Sequence, residues 1–181
     1  LVVRPERRIH FEEWGARLGF RKTVRFVSGG RERQDSVWNG LGALDPKAQL
    51  VAIHDGARPC TPLELVERTV ERARASGAAV AARRVTDTVK ESEDGDRILR
   101  TLDRARLWTV QTPQAFRVET IRRALAKVRD AGLQVTDDTA ACELVGQPVS
   151  LVESTALNPK VTVAADLLLV EALLARSAGR G

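Results

Sequence analysis

The chain has 181 residues, 43% of them hydrophobic and 29% charged, which suits one soluble domain with a buried core. No apolar run approaches the roughly 20 residues a membrane-spanning helix needs, so an integral helical membrane protein is excluded. The 29 basic and 24 acidic residues leave a net charge of +5 without a basic block or interleaved aromatics, which argues against nucleic acid and for small phosphorylated ligands.

The sequence contains no Met, and Leu1-Val2-Val3-Arg4-Pro5 reads as the end of a strand running into a loop, so further sequence is expected ahead of it. Thr23–Val27 predicts a short strand. Glu32–Leu44 predicts a helix with Val37, Leu41 and Leu44 on one face. Leu50–His54 is a continuous apolar run, as in a buried parallel strand. Leu63–Ser76 carries Leu63, Val66 and Val70 at helical spacing, with Gly77 where a C-terminal cap belongs. Ala78–Ala82 is the next predicted strand.

Residues 84–108 break the alternation. Two extended runs, 86–90 and 98–103, flank a polar segment with Asp94-Gly95, a hairpin signal, and read as a protruding β-arm. Val118–Ala131 predicts a helix closed by Gly132, Pro148–Val152 a strand, and Val163–Arg176 a helix; Ser177–Gly181 is expected to fray. The sum is an α/β fold with a mostly parallel sheet and an inserted arm, in a single domain over 1–181. Such sheets bind ligands beyond the carboxyl ends of their strands.

The candidate site residues sit at strand ends or helix starts. Gly29-Gly30 and Ser36 join a strand to a helix, where backbone N–H groups and a helix N-terminus can meet an anion. His54-Asp55-Gly56-Ala57-Arg58-Pro59 places a carboxylate suited to a divalent metal at a strand end, with an arginine fork three residues on. A simple Asp–Arg salt bridge stays open there, and His54 reads as structural. Thr88 with Lys90, Arg104, Thr112 in Thr112-Pro113-Gln114, Thr136 before Asp137-Asp138, and Lys160 complete the set. For each of these a solvated or capping role stays open. Cys60 and Cys142 are too few for a disulfide scaffold or a four-thiolate zinc site, and without a secretory signal a cytoplasmic location is expected. Cys60 has no general base paired to it, and Cys142 reads as packed.

Taken in order, Gly29-Gly30-x-x-Arg33-x-Asp35-Ser36-Val37, His54–Pro59, Asp87–Lys90, Thr112–Gln114, Thr136–Asp138 and Lys160-Val161-Thr162 resemble the 2-C-methyl-D-erythritol 4-phosphate cytidylyltransferases, from Leu1 to about Glu171. The resemblance implies a Rossmann-like nucleotidyltransferase fold whose arm makes a homodimer. It implies transfer of a cytidylyl group from CTP to methylerythritol phosphate with release of pyrophosphate and with Mg²⁺ as cofactor. By resemblance, Asp55 binds the metal, and Asp55, Arg58 and Lys160 are catalytic. Gly29, Gly30, Ser36 and Gly56 bind CTP. Arg58, Thr88, Arg104, Thr112, Thr136 and Lys160 bind the sugar-alcohol phosphate, Arg104 from across the dimer. Family members open with a strand and a Gly-rich loop that this sequence lacks, so the 181-residue chain is expected to have little or no activity alone. The alternatives are a ribitol 5-phosphate cytidylyltransferase, a non-catalytic nucleotide-binding or dimerising remnant, and the front half of a fusion with the pathway's cyclodiphosphate synthase.

Overall fold

A computed structural model describes residues 1–178. In chain order the elements are β1 (Val2–Val3), α1 (Arg8–Leu18), β2 (Val27–Ser28), α2 (Arg33–Gly42), β3 (Leu50–Ile53), α3 (Leu63–Ser76), β4 (Ala78–Arg84), β5 (Lys90–Glu91), β6 (Arg100–Thr101), β7 (Trp108–Arg117), α4 (Val118–Asp130), α5 (Asp138–Leu144), β8 (Ser150–Glu153) and α6 (Asp166–Ala178). Short 3₁₀ turns lie at Pro5–Arg7 and Arg104–Arg106. The tail expected to fray begins inside α6, and 179–181 lie outside the described residues.

The main sheet has the order β3-β7-β4-β8. β4 and β8 pair parallel, but β7 runs antiparallel to both β3 and β4. The expected mostly parallel sheet is therefore mixed. The reason is the arm: the chain leaves β4, turns at Asp94-Gly95 and comes straight back as β7, so the two strands are the legs of one long hairpin. Backbone bonds continue the ladder outward, from Val85 N–H to the Leu107 carbonyl and from Leu102 N–H to the Val89 carbonyl. β5 and β6 then pair as a separate two-stranded sheet. At the tip, Gly95 adopts a positive φ of 77°, and Asp94 Oδ1 accepts from the backbone of Asp96 and Arg97 at 2.9 Å each.

β7 was not predicted as a strand because Pro113 interrupts it. The register between β4 and β7 shifts between Val80 and Ala82, opposite the segment that holds Pro113, so a bulge absorbs the missing donor. The strand expected over Thr23–Val27 shrinks to Val27–Ser28, paired parallel with β1 in its own two-stranded sheet. Helix α1 has no counterpart among the predicted elements. Only its Gly15 is buried, so no apolar stripe marks it in the sequence.

Residues 78–82 of β4 are fully buried, and alternate positions face opposite layers. Ala78 joins Phe116, Ile121, Leu125, Val128 and Leu41 under α2, α4 and α5. Ala79 and Ala81 join Ala115, Val152, Leu65 and Ala73 under α3. The small side chains let helices pack closely on both faces. Phe116 is the largest fully buried side chain. Replacing it by alanine should cost about 3–5 kcal/mol, read as a lower urea midpoint at unchanged slope; a midpoint within error of the parent would refute this account of the core.

Candidate active site

β3, β4 and β8 end at the same side of the sheet, and β7 begins there. The β3–β7 register ends on Ile53 opposite Gln114, which carries Asp55 alongside Thr112 two residues on. Asp55 N–H donates to Thr112 Oγ1 at 3.1 Å. The loop after β8 returns to the same place: Val161 N–H donates to the Ala57 carbonyl at 2.8 Å. Three sequence-distant segments thus converge on one carboxylate.

Asp55 Oδ2 lies 3.0 Å from Lys160 Nζ and 3.6 Å from Arg58 Nε. The Asp55 and Arg58 side chains are largely buried, at 19% and 12% exposure, while Lys160 keeps 45%. Burial alone would raise the Asp55 carboxyl. The hydrogen bond and charge of Lys160, with the charges of Arg33 and Arg58, outweigh it and hold Asp55 below the ordinary carboxylate value. An anionic oxygen faced by two cations at a sheet edge is suited to binding a metal–phosphate ligand, since the cations can turn to phosphate oxygens when these arrive. Arg58 Nε is buried without a hydrogen-bond acceptor of its own.

The expected residues separate into groups. Asp55, Arg58, Thr112 and Lys160 are brought together. Gly56 is exposed, and a Cβ there would meet nothing within 4 Å, so the protein's own packing leaves that approach open. Gly29, Gly30 and Ser36 build one tight turn into α2: Ser36 Oγ accepts from Gly30 N–H at 3.1 Å, and a Cβ on Gly30 would lie 2.2 Å from the Asp35 Cβ. Thr88, Arg104 and Thr136 are exposed, and among the described residues no hydrogen bond ties them to Asp55. Arg104 braces the base of the arm through the Thr86 carbonyl at 2.6 Å. His54 is structural, as expected: Nδ1 meets Thr112 Oγ1 at 3.0 Å and Nε2 meets the Arg58 carbonyl at 3.2 Å. Burial pushes the Cys142 thiol up to about 12, so it is no nucleophile at neutral pH.

Two features escaped sequence reasoning. Asn158 is buried on one of the converging segments and bonded to the other two, at Arg58 and Thr61 and at Thr112. Arg33 reaches across the site to Asp138 Oδ2 at 2.7 Å, beside Asp137, which caps α5 and accepts from Gln114 Nε2 at 3.0 Å. Burial pushes the Asp138 carboxyl up and Arg33 opposes this; burial would lower Arg33, and Asp138 more than reverses it. With the pair at 2.7 Å and the guanidinium still touching solvent, we read it as ionised at neutral pH. The signal in the sequence was the position of Arg33 inside the Gly29–Val37 motif.

A family model for 2-C-methyl-D-erythritol 4-phosphate cytidylyltransferase matches residues 1–176. The chain belongs to this family. A relative of that name from Geobacillus thermodenitrificans is 45% identical over 175 residues, which are 97% of this chain and 76% of the relative. The crystal structure of 4-diphosphocytidyl-2C-methyl-D-erythritol synthase from Anaerococcus prevotii matches with a TM-score of 0.87 at 31% identity, over 96% of this chain and 77% of that one. The cytidylyltransferase structure from Thermus thermophilus matches with a TM-score of 0.75 at 39% identity, over 86% and 77%. The chain therefore shares its architecture with solved members of the family.

Removing Arg33 tests the buried pair. Arg33→Ala should cost about 3 kcal/mol at pH 8, the low end for a broken buried ion pair because the guanidinium is 38% exposed. Its loss lets the Asp138 pKa climb further above the unfolded value, so the native state binds the extra proton and the variant regains stability as pH falls from 8 to 5. Chemical denaturation across that range checks this; a deficit that stays constant with pH would disprove it.

Proposed function

We propose that the protein transfers the cytidylyl group of CTP to 2-C-methyl-D-erythritol 4-phosphate and releases pyrophosphate, on a Rossmann-like nucleotidyltransferase architecture. The observation that carries the reading is the Asp55–Lys160–Arg58 cluster at the carboxyl end of β3, in a chain of this family. In the reaction an oxygen of the sugar-alcohol phosphate attacks the α-phosphorus of CTP. A new P–O bond forms, the α–β bridging bond breaks in line, and pyrophosphate leaves. Such a transfer asks little covalent work of the protein; alignment and charge neutralisation set the rate.

Asp55 would offer Mg²⁺ one carboxylate, held below the ordinary carboxylate value by its cationic neighbours. Mg²⁺ is commonly held by one or two carboxylates, substrate phosphates and water. When bound, it supplies charge neutralisation between the two phosphate groups that must approach each other. Arg58 and Lys160 neutralise phosphate oxygens at the same point. Gly29, Gly30 and Ser36 form the turn that takes the cytosine and ribose, and Gly56 leaves room beside Asp55. Thr112 and Thr136 border the sugar-alcohol phosphate, with Thr88 from the arm.

The arm also supports a homodimer in which Arg104 reaches the partner's substrate. Ile98 and Leu99 on the arm are 64% and 56% exposed, which is apolar surface suited to a second copy. The same reading includes a cytoplasmic setting, supported by the bacterial relatives.

The test is CTP-dependent pyrophosphate release by the full-length protein with Mg²⁺, offered methylerythritol phosphate or ribitol 5-phosphate. Turnover should require the first, and Asp55→Asn should lower kcat by about 100- to 1,000-fold, the scale of one lost electrostatic contact to the transition state. Preference for ribitol 5-phosphate, or an Asp55→Asn variant with parental rate, would overturn the proposal.

A further inference from the structure

Lys160 lies on an irregular segment, residues 154–165, that leaves β8 and precedes α6. Its side chain is 45% exposed, and a lysine carries several rotatable bonds, so nothing in its own packing fixes the ammonium. The Val161 N–H bond to the Ala57 carbonyl pins the backbone on one side of Lys160, and a second junction lies on the other. Two residues upstream, Asn158 is only 3% exposed and forms the densest polar junction in the site.

Every polar group on the Asn158 side chain is used. Nδ2 donates to the Thr112 carbonyl at 2.9 Å and to Gln111 Oε1 at 3.3 Å. Oδ1 accepts from Thr61 Oγ1 at 2.7 Å. The Asn158 backbone carbonyl accepts from Arg58 NH1 at 2.7 Å. One residue therefore ties the Lys160 segment to β7, to the loop that carries Arg58, and to the Arg58 guanidinium itself. The Arg58 carbonyl lies 3.2 Å from the same hydroxyl and shares its single proton, so the Asn158–Thr61 contact reaches the Arg58 backbone as well.

We infer that Asn158 is a positioning residue that sets Lys160 and Arg58 at their distances from Asp55. The role follows from chemistry that few side chains supply. A buried amide offers two donors and an acceptor from one planar group, and here each has a partner. Alanine leaves the Thr112 carbonyl and the Thr61 hydroxyl short of a partner. Aspartate keeps the volume but presents oxygen to the Thr112 carbonyl and Gln111 Oε1 where an N–H is required.

The kinetic consequence rests on the transferase reading; the geometric one does not. In the full-length protein, limiting acetylation by an amine-reactive ester followed by mass spectrometry reads each lysine separately. In the parent, Lys160 should react more slowly than the exposed Lys22, Lys47 and Lys127, because its ammonium is held on Asp55. Asn158→Ala should raise the reactivity of Lys160 and leave those three unchanged. It should also lower kcat by about 100-fold, the cost of a small misplacement of catalytic groups, with KM for CTP shifting far less.

Asn158→Asp guards against misfolding of the alanine variant. It keeps an acceptor for Thr61 but loses the donor to the Thr112 carbonyl, so its kcat should fall and its Lys160 labelling rise as in the alanine variant. Unchanged Lys160 labelling and unchanged kcat in both variants would overturn the inference, as would a uniform rise in labelling at every lysine. A parent with slow Lys160 labelling, released by Asn158→Ala, but without turnover would retain the positioning role and sink the transferase reading instead.

Discussion

The arrangement depends on one electrostatic compromise. Asp55 is mostly withdrawn from water, which by itself would push its carboxyl up. Lys160, with Arg33 and Arg58, instead holds it below the ordinary carboxylate value, while the Val161–Ala57 bond and the Asn158 junction keep the Lys160 segment beside it. A purely structural salt bridge would need only one of these cations. The surplus positive charge beside a single acid is what makes the place suited to phosphates, because the cluster still has charge to offer after the acid is satisfied.

The fold supplies the geometry through its one reversed strand. Because β7 runs against its neighbours, its first half lies at the same end of the sheet as the carboxyl ends of β3, β4 and β8. Thr112 can therefore meet Asp55 from inside the sheet while the loop after β8 closes from outside. The same reversal makes the arm: β4 and β7 are continuous with it, so the segment that carries Thr88 and Arg104 leaves the sheet a few residues from the site.

The sequence disclosed features whose cause is local. The bounds Leu63–Ser76 were legible from Gly77 at the helix end, although the buried face is Leu65, Thr69 and Ala73 and leaves Leu63, the first residue of the expected stripe, in solvent. Asp55 was legible because an apolar run ends on it. The Asp94-Gly95 turn announced the arm. Pro113 hid β7, since a bulge that tolerates proline is decided by the partner strand. α1 was hidden because it buries almost nothing. Asn158 and the Arg33–Asp138 pair were hidden for a different reason. Their partners lie on distant stretches of chain, and only the completed topology brings them within reach.

The frame around the site and the charges within it are made of different materials. Thr61, Thr112 and Asn158 hold one another through hydrogen bonds between uncharged groups that are partly or fully buried. Mobile ions act weakly on such bonds, whereas the half-exposed Lys160 feels them directly. Rising ionic strength should thus weaken the pull of the Asp55–Lys160–Arg58 cluster on any anion while the frame around it keeps its shape, so that salt tunes attraction and leaves geometry alone.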